Sequence, residues 1–298
     1  MEPAPAEPRS IVLPPGRIPI GVALGSIGVS FAWWRESARR LEAAGYAGIW
    51  CWDHFVSRGR RTDPVLEAWT TLTAVGALTE AVTVGPFVAN VMNRHPAVLA
   101  RMAATLQEVT GGRLVLGLGI GGHPEEHAAY GIPFPPAPER ALRLREAIAV
   151  LRALWSGGPV DRPSPVYPLR GAVAHPVPVP PPPIVVGAAS DVGLRLAAEL
   201  AEGWTTPAER FERLAPRWRE AVRAAGRDPA DVVVLVAFGG GRAGEPALKS
   251  SPWVGDPAAE LARWQARGAD GVIVTARTTS DVDALVGAAE RYRAAVGP

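Results

Sequence analysis

The sequence predicts an α/β protein, and within that class a (β/α)8 TIM barrel. Short apolar runs alternate with amphipathic segments of helical period from residue 17 to the C-terminus. Eight such pairs fit into 298 residues, which suits a closed parallel barrel. No GxGxxG follows the first strand, where an open dinucleotide-binding sheet would carry it. A doubly wound open sheet is therefore the second choice.

Each element follows in order. Arg17–Leu24 reads as the first strand, ending at Gly25, and Trp33–Ala44 as a helix stopped by Gly45. Tyr46–Cys51 and Leu66–Leu78 form the second pair. Val82–Val88 is the third strand. His95–Val109 is its helix, with Pro96 in the first turn, where a missing N–H costs little. Arg113–Leu118 and Glu139–Trp155 form the fourth pair. Residues 156–183 are Pro-rich and suit a linker, but the β/α rhythm resumes at once, which favours a long loop before strand five. Ile184–Val186 with Val192–Leu200, and Gly203–Thr205 with Ala208–Ala225, are the fifth and sixth pairs. Val232–Ala237 is the seventh strand. Asp256 caps its helix, Asp256–Arg267, ahead of Pro257. Gly271–Thr275 and Ser280–Val296 complete the eighth. Insertions are predicted after strands four and seven. Residues 1–16 read as a flexible Pro/Ala-rich tail, and 17–298 as a single barrel domain.

Composition narrows the function. Thirty-one basic residues nearly balance 29 acidic ones, for a net charge of +2, which argues against nucleic acid as a partner. A single cysteine, Cys51, leaves no internal disulfide or multi-cysteine metal site and suits a cytoplasmic location. No apolar run approaches the roughly 20 residues of a membrane span, so no membrane partner is predicted.

In such a barrel, chemistry sits on the loops after the strands. Strand two ends in WCWDHF. His54 can exchange a proton near neutral pH, and Asp53 can hold a polar cofactor edge. The plain alternative is a turn cap beside a surface imidazole. After strand three, Phe87, Val88 and Ala89 stand where a bulge would bring main chain against a flat ring, or where core strand simply continues. Strand four leads into GLGIGGHPEEH, whose glycines permit close backbone approach to a ligand. His123, Glu125, Glu126 and His127 raise the question of a metal. HPEEH is not HExxH, however, and Pro124 interrupts the helix such a motif needs, so no metal is predicted. The turn Gly187, Ala188, Ala189, Ser190 opens a helix whose N–H groups suit a phosphate, with Ser190 equally suited to capping. Arg58, Arg60 and Arg61 share the His54 loop and form either an anion-attracting run or a solvated one. Trp50, Trp52 and Trp204 suggest a flat apolar pocket, or ordinary core.

Five stretches lie in order between about Gly45 and Trp204: GYAGIWCWDHF, LEAWTTLTAVGALTEAVTVG, NRHPAVLARMAATLQEVTGGRLVLGLGIGG, YGIPFPPAPER and PPPIVVGAASDVGLRLAAELAEGW. Together they resemble the luciferase-like monooxygenase superfamily, particularly its branch dependent on the deazaflavin coenzyme F-420. The resemblance implies a homodimeric oxidoreductase that passes hydride between F-420 and a small organic substrate. It implies that Asp53 contacts the cofactor ring and that His54 lies near the reactive carbon. A non-prolyl cis peptide is implied at the bulge, placed here at Phe87–Val88. Gly187 to Ser190 would hold the cofactor phosphate, and Arg58, Arg60 and Arg61 would meet its acidic tail. An FMN-dependent monooxygenase on the same fold is the alternative. A non-catalytic flavin- or deazaflavin-binding protein is the second, and a metal-dependent hydrolase using His54, His123 and His127 the third. Two positions depart from the pattern. Gly122 stands where some F-420 dehydrogenases have glutamate, so no sugar-phosphate dehydrogenase role is assigned. The phosphate turn reads GAAS instead of the more usual Gly-Gly form.

Overall fold

A computed structural model describes residues 16–57, 59–239 and 248–296. The chain opens with β1 (Ile18–Leu24), α1 (Phe31–Ala43), β2 (Tyr46–Cys51) and α2 (Ala68–Gly76). The third strand comes in two pieces, β3 (Thr83–Pro86) and β4 (Ala89–Asn90), followed by α3 (Pro96–Val109). Next are β5 (Leu116–Gly119), a short α4 (Pro124–Tyr130) and α5 (Ala137–Leu154). A small ladder, β6 (Val160–Arg162) and β7 (Leu169–Ala172), precedes β8 (Ile184–Gly187), α6 (Asp191–Leu200), β9 (Gly203–Pro207) and α7 (Ala208–Ala224). The chain closes with β10 (Val233–Phe238), α8 (Pro252–Gly255), α9 (Pro257–Gln265), β11 (Gly271–Ala276) and α10 (Thr279–Val296).

The main sheet runs β3-β2-β1-β11-β10-β9-β8-β5-β4, with every pairing parallel. Its two ends, β3 and β4, are separated only by Phe87 and Val88. They are one interrupted strand, and the sheet closes through it into the predicted eight-stranded barrel, leaving no free edge. Val115 N–H donates to the Val84 carbonyl at 3.0 Å and seals the seam.

One side-chain cluster fills the barrel: Ala23, Trp50, Val115, Val185, Leu235 and Ile273. The Trp50 indole occupies so much of it that Gly48 on its own strand and Gly21 on the neighbouring β1 must lack a Cβ. A Cβ on Gly21 would stand 2.6 Å from Trp50 Nε1, and one on Gly48 2.9 Å. Outside the strands, Trp204 stacks on Trp218 with centroids 5.1 Å apart, under α7. Trp50 and Trp204 are both fully buried and are core, not pocket. Of the three tryptophans suggested by sequence, only Trp52 reaches a cavity.

The Pro-rich stretch is more ordered than a plain loop, because β6 and β7 pair antiparallel within it. Gln107 also donates to the Pro180 carbonyl at 2.9 Å, tying the stretch to α3. Residues 1–15 of the predicted tail and 240–247 of the predicted insertion after strand seven lie outside the described residues. Among the described residues no helix is long and apolar enough to cross a membrane.

Candidate active site

The strand ends converge as the barrel requires. Trp52, Asp53 and His54 from the end of β2, Phe87 and Val88 from the third strand, Gly119 to His123 after β5 and Gly187 from β8 line one cavity of about 300 Å³. A second, of about 350 Å³, shares Phe87, Val88 and Gly187 and continues toward Ala188, Ala189 and β9. The bulge between β3 and β4 is thus the wall common to both.

The bulge is held by the glycines of β5. The Phe87–Val88 peptide is cis and non-prolyl, at the position the resemblance implied. Phe87 N–H donates to the Cys51 carbonyl at 2.7 Å. A Cβ on Gly117 would lie 2.2 Å from the Pro86 carbonyl oxygen, and one on Gly119 2.7 Å from Val88 Cγ2. Gly121, at φ +71°, would drive a Cβ into the Asn90 side chain. These three glycines make room for the protein's own main chain and side chains, where the sequence reading gave them to a ligand. The next residue, Gly122, faces open space instead. Ala89 pairs with Leu118 in the ladder and is core, so it is not brought to either cavity.

His54 is oriented from far along the chain. Its Nδ1 lies 3.1 Å from Glu126 Oε2, in the first turn of α4, where a carboxylate also suits the helix dipole. The other Glu126 oxygen accepts from Phe55 N–H and Val56 N–H, the latter at 3.0 Å. Burial pushes this carboxyl up, but the bonds from His54, Phe55 and Val56 outweigh it and hold Glu126 at about 2. An ionised carboxylate only accepts, so His54 Nδ1 carries the hydrogen and Nε2 is the exchangeable nitrogen. The His123 ring stands edge-on to His54, with centroids 5.1 Å apart.

Asp53 lines the first cavity, yet its carboxylate is 1% exposed and already engaged. Arg94 grips it with both terminal nitrogens, at 2.8 and 2.9 Å. Asn90 N–H donates at 3.0 Å and Asn93 Nδ2 at 3.2 Å. Arg94 also donates to Glu67 at 2.6 Å, and Glu67 caps α2 through Trp69 and Thr70 N–H. Burial works against the Arg94 charge, but the two carboxylates raise its pKa above the usual value. Asp53 therefore fastens the loop after the third strand to the loop after β2. Its Oδ1 accepts from Arg94 alone, whereas Oδ2 is shared by Arg94, Asn90 and Asn93.

The remaining candidates separate. Gly187, Ala188 and Ala189 line the second cavity. Ala188 N–H is committed to the Thr205 carbonyl at 3.1 Å, and Ser190 caps α6 by accepting from Gly193 N–H at 3.3 Å. Arg61 lines a third cavity of about 250 Å³, which shares His54, His123 and Glu126 with the first. Arg60 is paired with Asp63, and Arg58 lies outside the described residues. Of the three imidazoles of the hydrolase option, His54 and His123 stand together, but His127 is engaged elsewhere. His127 is buried, its Nε2 accepting from Asn90 Nδ2 at 2.7 Å, an amide orientation fixed by Met92 N–H donating to Asn90 Oδ1. Burial lowers the His127 pKa. Among the described residues no group of three or more His, Cys, Asp or Glu is placed to hold a metal ion.

Sequence reasoning missed the partners Asn90, Arg94 and Glu67 and named Glu126 only as a possible metal ligand.

With barrel, bulge and strand-end imidazole in place, residues 14–239 match the luciferase-like monooxygenase family. The chain belongs to that family. Within it, this luciferase-like protein is 34% identical to an F-420-dependent glucose-6-phosphate dehydrogenase of Microbacterium testaceum, over 65% of this chain and 60% of that one. It is 33% identical to an F-420-dependent hydroxymycolic acid dehydrogenase of Mycobacterium tuberculosis, over 64% and 54%. The chain thus spans less than two thirds of these relatives' lengths. Among solved structures, an F-420-dependent secondary alcohol dehydrogenase in complex with an F-420–acetone adduct superposes with a TM-score of 0.69 at 25% identity, covering 74% of this chain and 69% of that one.

Proposed function

We propose that this protein is an F-420-dependent oxidoreductase that passes hydride between the deazaflavin and a small organic substrate. One observation carries the reading. A carboxylate-oriented His54 lines the same cavity as the Phe87–Val88 bulge.

The residues fit such a group. Gly122, where a Cβ would meet nothing within 4 Å, leaves part of that cavity's wall free of side chains, as a planar ring demands. The two joined cavities together reach the size of a cofactor pocket. When bound, a deazaflavin supplies hydride transfer, and the protein supplies position and charge. The bulge would back one face of the ring. The turn from Gly187 to Ser190 would face the phosphate, and Arg61, with Arg58, the acidic tail. His54 would gain or lose a proton at Nε2 while Glu126 keeps Nδ1–H fixed. Asp53 and Arg94 would hold the bulge and its loop in register. The reading includes a cytoplasmic homodimer, with no membrane or nucleic-acid partner.

Fluorescence titration tests it. Quenching by F-420 at micromolar or lower concentration, with none by FMN, is the expected result. Tight FMN binding with oxygen uptake by the reduced flavin would make it an FMN monooxygenase instead. The variant H54A should bind F-420 normally and lose turnover by about 10²- to 10⁴-fold. Equal turnover in both proteins would leave His54 without a catalytic role.

A further inference from the structure

The second cavity contains an unmatched positive charge. Most of its wall is apolar: Phe87, Val88, Ala188, Ala189, Pro207 and Ala237. The exceptions are Thr205, Thr206 and Arg210. Arg210 stands in the first turn of α7, at the positive end of the helix dipole, where a cation is disfavoured. Elsewhere on the surface Arg217 pairs with Asp191, Arg267 with Glu212 and Arg145 with Glu199. No hydrogen bond or ion pair from a described residue reaches Arg210. The Thr205 and Thr206 hydroxyls are buried and also without partners.

A half-buried guanidinium at a helix start, in an apolar wall, is an unfavourable arrangement until an anion joins it. A planar guanidinium binds phosphate or carboxylate through two parallel N–H bonds. The nearby turn is a weaker anion site than its sequence suggested, since Ala188 N–H is engaged with Thr205 and Ser190 is engaged in capping α6. A side chain must therefore supply what those groups do not.

The geometry points to Arg210 as the anchor of an oxyanion subsite in the second cavity, receiving a terminal phosphate or carboxylate on an otherwise uncharged ligand. The proposal rests on the deazaflavin reading for which ligand arrives, because the cavity shares the bulge with His54. The oxyanion comes either from the phosphate of F-420 or from the substrate.

Titration of three proteins separates these sources: wild type, R210M and R210K. Each is titrated with F-420 and with the deazaflavin that ends at its ribityl chain, lacking phosphate and tail. If the cofactor supplies the oxyanion, R210M weakens F-420 at least tenfold and leaves the phosphate-free deazaflavin within twofold, while R210K restores most of the loss. If the substrate supplies it, R210M binds F-420 as wild type does. Inorganic phosphate then stabilises the F-420-loaded wild type against heat and fails to stabilise loaded R210M. Both results support the subsite. Unchanged F-420 affinity together with equal phosphate stabilisation of wild type and R210M overturns it. So does an equal loss of both deazaflavins. Should neither deazaflavin bind wild type, the cofactor reading fails by itself. Phosphate stabilisation of the unloaded proteins then decides Arg210 separately, supporting it if lost in R210M and overturning it if not.

Discussion

His54 takes its orientation from a carboxylate 72 residues further along the chain. That carboxylate, Glu126, is held near 2 against an ordinary value of 4.5. A depressed acid contributes stability above its unfolded value and loses it as pH falls through its folded one. The difference corresponds to about 3 kcal/mol. E126Q should therefore unfold about 3 kcal/mol more easily than wild type in urea at pH 7, and the gap should narrow as pH drops from 4.5 toward 2. A gap independent of pH would mean that shape, not charge, is what Glu126 contributes. Arg94 is the other pivotal residue, since it neutralises a carboxylate that is almost wholly buried. Removing one partner of a buried pair leaves the other charged and unsolvated, so R94M should cost about 3–5 kcal/mol, measured by chemical denaturation. A loss near zero would show that Asp53 finds water or another donor. Neither partnership was legible in the sequence. Asp53 and His54 could be found because a strand end is a local feature, whereas Arg94 and Glu126 acquire their meaning from contacts 41 and 72 residues away.

At the scale of elements, the third strand and β5 must be understood together. The alternation Gly117, Gly119, Gly121 looked like preparation for a ligand, because a single chain does not reveal what crosses it. The structure puts the Pro86 carbonyl, Val88 and Asn90 over those three positions. G117A would force a methyl group to 2.2 Å from a main-chain oxygen, with no flexible side chain to yield. Overpacking of that kind costs about 1–3 kcal/mol, and displacement of the bulge should also weaken F-420 binding. G122A, with nothing within 4 Å, should leave stability within about 0.5 kcal/mol of wild type. Equal melting temperatures for G117A and wild type would contradict the account of the bulge. The bulge itself was legible in position, since the strand pattern ran on through residues that a barrel brings to its mouth. The ladder β6–β7 was not, because three- and four-residue strands in a Pro-rich stretch give too short an alternation to detect.

The whole molecule is a closed ring around one indole. Trp50 is fully buried in the barrel interior, and glycines on adjacent strands shape the space around it. W50A should cost about 3–5 kcal/mol, read by denaturant unfolding, and should loosen the floor beneath Phe87, whose ring lies 5.6 Å away. The β/α rhythm made this architecture readable from the sequence, because eight repeats of one pattern constrain closure more than any single motif constrains a site. The same rhythm could not say which strand-end residues face the cavity and which are consumed by one another, as Asp53 and Arg94 are. A crystal structure of the protein with F-420 measures the convergence directly. The deazaflavin ring should lie against the Phe87–Val88 bulge, its reactive carbon toward His54 Nε2. A ring seated in the third cavity beside Arg61, with the bulge bare, would contradict it.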